Sequence, residues 1–289
     1  MIQLKKEKRK AKDLAGYLSG KLTESITDHV GAELLIESSA GNLKTGNPGL
    51  EVTRQALMKG WSVVLANKVP LVFQFDELHE LSRKHGGSIA FSATVCGGLP
   101  VINVLQRDLK LAKLKSFKGI LNATTNYILK ELDGGGLREE AIREAQRLGA
   151  AEADPSYDVN GYDTANKLFI IMKAFTNFSG TISDIEITGI QNIEADHVQS
   201  VKSKGNVIKL IALAEKAGER WTLSVKPMEV PVNSFLGTCN GWEMGIELAT
   251  DLYENVAMKN YEADPVGTSA AVLRDAIQIS VVEILARSH

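Results

Sequence analysis

Glu152, Asp154, Asp158, Asp163 and Lys167 put four carboxylates and an amine into sixteen consecutive positions. Carboxylates so placed can grip an ammonium group. A lysine among them can hand a proton to a reacting oxygen or take one back. Asp163 and Lys167 lie four apart, so a helix would set them on one face. Pro155 and Gly161 would fix a loop that keeps Glu152 and Asp158 near them. Two electrostatic outcomes stay open. A lysine flanked by carboxylates keeps its proton, whereas one partly buried in a cleft has its pKa drawn toward neutrality. The same spacing also suits a capped helix start with one surface ion pair.

Three further stretches carry polar groups beside apolar runs. Val64-Leu65-Ala66-Asn67-Lys68-Val69-Pro70 ends a buried run on an amide and an amine. A lysine there can face phosphates or a developing alkoxide, or can be a plain loop lysine. Cys96-Gly97-Gly98 lets backbone approach a ligand closely, or merely makes a tight turn. Asn122-Ala123-Thr124-Thr125-Asn126 places hydroxyls and amides at a strand end. That suits a small polar substrate, and helix capping explains it equally well.

The elements that must position these groups follow from periodicity. Leu4, Leu14, Leu18 and Leu22 mark an exposed amphipathic helix over 2–22. Residues 32–37 read as a short strand. Asn47-Pro48 reads as an N-cap with proline at the first helical position, opening a helix that Gly60 ends. Residues 61–65 form a buried strand, 70–85 a second helix and 88–91 another strand. This alternation predicts parallel crossovers, with functional groups beyond the carboxyl ends of the strands. From Pro100 the texture changes. A strand over 113–120 leads to helices near 126–132 and 137–148, then to a polar loop over 151–161 and a helix over 162–175. Strands near 185–187, 207–214 and 221–225 and a final helix over 268–286 complete the chain. The predicted fold class is α/β: a partial Rossmann-like parallel sheet over 1–99 plus an α+β domain with an antiparallel sheet over 100–260. Residues 261–289 form a C-terminal helix returning to the first sheet.

Bulk properties exclude several classes. The 289 residues carry a net charge of −2, and the one basic run, Lys5 to Lys10, reads as a solvated helix face. Nucleic acid is therefore not an expected partner. Two cysteines are too few for a disulfide framework, which suggests a reducing compartment. Five scattered histidines show no zinc-binding spacing, and no metal is expected from them. No apolar run approaches a membrane span, and no signal core follows the basic start, so the expected location is the cytoplasm.

Taken in order, Ala66-Asn67-Lys68, Ala93-Thr94-Val95-Cys96-Gly97-Gly98-Leu99-Pro100, Gly119-Ile120-Leu121-Asn122-Ala123-Thr124-Thr125-Asn126-Tyr127 and Glu152-Ala153-Asp154-Pro155 through Lys167 closely resemble the homoserine dehydrogenases. The resemblance runs from about Glu33 to Ile279. It implies NAD or NADP as cofactor and the interconversion of L-homoserine and L-aspartate 4-semialdehyde, a step toward threonine, methionine and isoleucine. It implies Lys167 as the catalytic lysine, with Lys68 beside the nicotinamide and the reacting carbon. Glu152, Asp158, Asp163 and Thr125 are implied as substrate contacts, and Ser39, Asn67 and Lys68 as cofactor contacts. It also implies a homodimer through the sheet of residues 100–260.

Four positions depart from the family pattern. The G-x-G-x-x-G fingerprint is absent, and the resemblance places it before residue 1. Ser92 stands where the family usually has glutamate, a ligand of a structural monovalent cation. Ala123 replaces a glycine. Glu262-Ala263-Asp264 replaces a G-A-G run, which puts two acids where cofactor phosphates are expected and should repel them. The main reading is an NAD(P)-dependent oxidoreductase. The alternative is a non-catalytic relative that keeps the amino-acid pocket without cofactor binding.

Overall fold

The structure, a computed structural model, describes residues 33–148 and 154–287. The helix predicted over 2–22 lies outside them. Strands β1 (Leu34–Glu37), β2 (Ser62–Leu65) and β3 (Ile89–Ala90) form a parallel sheet in the order β1-β2-β3. Helices α1 (Gly49–Met58) and α2 (Val69–His85) make the crossovers. All four residues of β2 are buried, as a central parallel strand requires. Asn47 does not cap α1, contrary to expectation. The cap position falls on Pro48, with no side-chain hydrogen bond to the helix. The nearby cap-like group is Asn42, whose Oδ1 accepts from the backbone N–H of Lys44 at 3.0 Å and Thr45 at 3.2 Å.

The larger sheet has six strands, β4 (Leu114–Ile120), β5 (Ile185–Ile187), β6 (Asn206–Ala217), β7 (Arg220–Pro231), β8 (Glu243–Thr250) and β9 (Asn255–Tyr261). Their order is β5-β7-β6-β4-β8-β9. The predicted antiparallel pairing holds except for β5, which runs parallel to β7. Helices α3 (Ala123–Asp133), α4 (Arg138–Arg147), α5 (Tyr162–Phe175) and α6 (Ala195–Ser203) accompany this sheet. Leu168 and Ile171 of α5 share a core with Phe117, Leu210, Ala212 and Leu248 of the strands. Strands β8 and β9 and helix α6 have no counterpart in the sequence reading. Helix α7 (Val266–Arg287) crosses back to the parallel sheet, where Ala276 and Ile279 pack on Val64.

A buried lysine holds one corner of the larger sheet. Asn126 Nδ2 donates to the carbonyls of Cys239, Gly241 and Glu243 at 3.2, 3.0 and 2.9 Å, pinning the segment between β7 and β8. Lys209 Nζ donates to Asn126 Oδ1 at 3.0 Å and to the Cys239 carbonyl. Burial pulls the Lys209 amine down to about 8 from 10.5. Between those values the unfolded chain binds the proton and the folded chain does not, so folding gains stability as pH rises. In urea titrations, raising the pH from about 8 to about 10.5 should stabilise the parent relative to Lys209→Met by on the order of 2–3 kcal/mol. A difference that stays flat or falls over that window would show that burial does not penalise the charged amine.

Candidate active site

Three elements deliver the charged groups to one point. The buried strand β2 ends at Leu65, and the chain turns through Asn67 into α2. Asn67 Oδ1 accepts from the Val69 N–H at 3.0 Å and so fixes the start of α2. Lys68 sits at that turn and reaches Asp163 Oδ1 with its Nζ at 3.0 Å. Gly161 precedes α5 at φ +86°, a left-handed conformation that glycine adopts without strain, so the loop and the helix meet at a sharp angle. Asp163 then lies in the first turn of α5, and Lys167 one turn on reaches its Oδ2 at 2.8 Å. The Lys167 Nζ also donates to the Leu121 carbonyl at 2.8 Å, just beyond β4. From the same strand end, Asn122 Nδ2 donates to Asp163 Oδ2 and Asp158 Oδ1, both at 2.8 Å.

Asp163 is thus a buried carboxylate held between two ammonium groups. Burial alone would push its pKa up. The charges of Lys167 and Lys68 and the hydrogen bonds from Lys167 and Asn122 hold it far below the usual carboxylate range. Lys167 shows the complementary effect: burial works most strongly against its charge, but the charge and hydrogen bond of Asp163, with smaller help from neighbours such as Asp158, together raise its pKa. Of the two outcomes the sequence left open, the Asp163 contact favours a protonated Lys167. Asp158 goes the other way. Burial and the neighbouring Asp163 charge raise its pKa, and the Asn122 amide offsets only part of this. Tyr157 closes one side, with Lys68 Nζ 5.9 Å from its ring centroid and Asn166 Nδ2 donating to its hydroxyl. A cavity of about 270 Å³ opens here, lined by Gly41, Lys68, Asp154, Tyr157, Asp158 and Asp163 among others.

The other sequence-derived candidates fall into distinct places. Glu152 lies outside the described residues. Thr125 is 1% exposed, and its hydroxyl donates to the Asn122 carbonyl at 3.1 Å, so it supports the cap of α3 and does not line the cavity. Asn122 was missed as a site residue because the capping role of its Oδ1, which accepts from Thr125 N at 2.8 Å, already explains it. The same side chain spends its Nδ2 on the carboxylates. Ser39 is exposed past the end of β1, and its N–H and hydroxyl donate to Glu37. Glu262 and Asp264 are not free acids. Asp264 Oδ1 accepts from Val266 N at 2.8 Å at the start of α7. Glu262 accepts from Gly98 N at 3.1 Å, Thr268 Oγ1 at 3.0 Å and Asn260 Nδ2 at 2.7 Å. A Cβ on Gly97 would stand 2.2 Å from Glu262 Oε1, so the paired glycines make room for this carboxylate. Burial pushes the neighbouring Cys96 thiol up to about 12, which leaves it inert as a nucleophile.

Comparison with known proteins gives a consistent answer. The family profile described as homoserine dehydrogenase matches residues 100–277. A homoserine dehydrogenase of Methanocaldococcus jannaschii is 35% identical over 255 residues, covering 88% of this chain and 74% of the relative. An NAD(+)-dependent homoserine dehydrogenase of Pseudomonas canavaninivorans is 30% identical over 267 residues, covering 92% and 76%. A hyperthermophilic archaeal homoserine dehydrogenase solved in complex with NADPH superposes with a TM-score of 0.82 at 25% identity, covering 96% of this chain and 81% of that one. Among the described residues, no helix is long and apolar enough to cross a membrane. The matches extend across the parallel sheet as well as the charged cleft, and on them this chain belongs to the homoserine dehydrogenase family.

Proposed function

We propose that this chain interconverts L-homoserine and L-aspartate 4-semialdehyde, using NAD or NADP. The observation that carries the reading is the meeting of Lys68, Asp163 and Lys167 in one cleft. A nicotinamide cofactor supplies or accepts the hydride. In the reductive direction the Lys167 ammonium gives its proton to the oxygen of the former aldehyde, and in oxidation its amine takes the hydroxyl proton. Lys68 offers a second positive charge to the developing alkoxide. Asp163 keeps the Lys167 amine charged and holds both amines in place. Asp158, together with Glu152, receives the amino group of the substrate. Asn122 orients both aspartates, and Thr125 supports Asn122 through the helix cap.

The residues present fit a nicotinamide cofactor. At the carboxyl ends of β1 and β2, Glu37 Oε2 and Asn67 Nδ2 are buried without hydrogen-bond partners. These atoms offer an acceptor and a donor on the side where Ser39, Asn67 and Lys68 lie. On this reading residues 1–99 and 261–289 serve the cofactor, and residues 100–260 bind the substrate and pair. Pairing of two copies would use the face of the larger sheet opposite its helices, where Lys118 lies across from Leu213 and Glu247. The cytoplasm suits the two cysteines, which are free and buried.

The purified Lys167→Ala variant should lose about 10²–10⁴ in kcat while still folding, with a lower melt because buried Asp163 loses a partner. Retention of most of the homoserine oxidation rate would remove Lys167 from the chemistry. Glu152→Gln should raise the homoserine KM roughly 10-fold or more, from loss of a charged acceptor, and an unchanged KM would dismiss that contact. Asp163→Asn removes the charge that raises the Lys167 pKa. A proton donor with a lowered pKa empties at lower pH. The alkaline limb of the reductive pH–rate profile should therefore move to lower pH in Asp163→Asn, and a limb that stays or moves up would contradict the assignment of Lys167 as the acid.

A further inference from the structure

Ser92 opens a helical turn, Ser92–Thr94, at the end of β3. It stands where the family resemblance places a cation-binding glutamate, so the local donor set tests whether a monovalent ion fits here. Its backbone N–H donates to Asp275 Oδ2 at 2.9 Å, and its hydroxyl donates to the same oxygen. Asp275 lies on α7 and is 1% exposed. The adjacent Arg274 sends Nη2 to Ser92 Oγ at 3.2 Å and to Asn103 Oδ1 at 2.8 Å. Its Nε lies 3.9 Å from Asp275 Oδ1.

This donor set does not fit an alkali ion. Such an ion needs oxygen lone pairs converging on it, with negative charge to spare. The Ser92 hydroxyl gives its hydrogen to Asp275 and accepts one from Arg274. One oxygen of Asp275 takes two donors, and the other faces the guanidinium. The charges of Arg274 and Asp275 cancel, and a second cation beside the guanidinium would be repelled where little water screens it.

We propose that Arg274 is the built-in cation of this corner, so that neither folding nor turnover of this chain requires sodium or potassium. Arg274 is a positioning residue. Its guanidinium ties α7 to Ser92 and to Asn103, the two ends of the segment that carries Cys96, Gly97 and Gly98. That segment packs against the Leu121 carbonyl through Cys96 Sγ at 3.9 Å, and the same carbonyl receives Lys167. The guanidinium thus steadies the wall behind the catalytic lysine from the far side. Arginine suits the task because its planar donors reach two acceptors and it stays charged at every working pH.

The turnover part of the test rests on the proposed homoserine chemistry, whereas the melting part does not. Thermal melts and homoserine oxidation by the whole chain would be compared in sodium, potassium and choline chloride at about 0.1 M, so that screening is constant. Melting temperature and rate are expected to agree within about 1 °C and about twofold across the three salts. A saturable rise of the melt or the rate with sodium or potassium overturns the proposal. Arg274→Gln should melt about 3–10 °C lower through loss of charged hydrogen bonds, in all three salts alike. If it melts with the parent, the guanidinium is not the tie and the proposal is wrong. The double variant Ser92→Glu with Arg274→Gln restores a carboxylate without the competing guanidinium. It should gain a saturable sodium- or potassium-dependent rise in melting temperature that the parent lacks. A double variant as indifferent to salt as the parent counts against Arg274 as the substitute for an ion.

Discussion

A buried carboxylate between two ammonium groups sets the terms for the rest of this molecule. Asp163 is 6% exposed, and a lone charge at that depth would cost several kcal/mol of lost hydration. Among the described residues, Lys68, Lys167 and Asn122 supply contacts that offset the cost. Removing one partner of such a group typically costs about 3–5 kcal/mol, because the others are left buried and uncompensated. The arrangement is therefore all or nothing. Its members come from separate elements, so those elements must be placed together before any of the charges is tolerable. The same coupling keeps Lys167 protonated and Asp158 reluctant to ionise. One site thus holds a proton donor and an acceptor group of different strength.

The two sheets have to meet for this to work. Lys68 leaves the carboxyl end of a parallel strand, where side chains project beyond the sheet. Leu121 and Asn122 leave the end of an antiparallel strand, and Asp163 and Lys167 ride on a helix packed against that second sheet. The Lys68–Asp163 contact is thus a bridge between two layers of different construction. Two other ties cross the same junction: the Gly98 N–H donates to Glu262, and Lys173 of α5 pairs with Asp76 of α2 at 2.5 Å. Each is polar or charged, and they flank an apolar core that runs from the parallel sheet and its helices into the larger sheet. Such a junction fixes geometry through directional contacts and leaves a polar cleft of about 270 Å³ open between the layers.

Much of this was legible in the sequence, and the failures have physical causes. The helix over 162–175 is found as predicted, because Ala165, Leu168, Phe169 and Met172 recur on one face between a glycine and a polar end. Strand β2 announces itself as an unbroken apolar run. Helix α6 offers only Val198 and Val201 as buried positions, too few to show a period. Strand β9 alternates, but its inward set is Val256 and Met258 against a largely exposed edge. At the site, spacing brought Asp163 and Lys167 together and placed Lys68 at a strand end. It could not show that all three share one contact, since that depends on how two sheets are stacked. Asn122 was passed over beside Thr125. Both are polar residues at a strand end, and only the structure shows that Asn122 caps the helix with its Oδ1 and reaches the carboxylates with its Nδ2.

The acids near α7 show why the sign of a charge is a poor guide to its effect. Glu262 and Asp264 read as two negative groups set against an anionic ligand. In the fold Asp264 accepts from the first turn of α7, where the helix dipole favours an acid. Glu262 takes the amide of Gly98, the hydroxyl of Thr268 and the amide of Asn260, so its charge is absorbed by donors that an anion would otherwise find. An acid that fills its own cradle does two things at once. It removes a ready-made anion site from the junction, and it clamps the glycine turn to the helix that follows. Any ligand phosphate approaching this corner must either displace Glu262 from several hydrogen bonds or bind elsewhere along the strand ends.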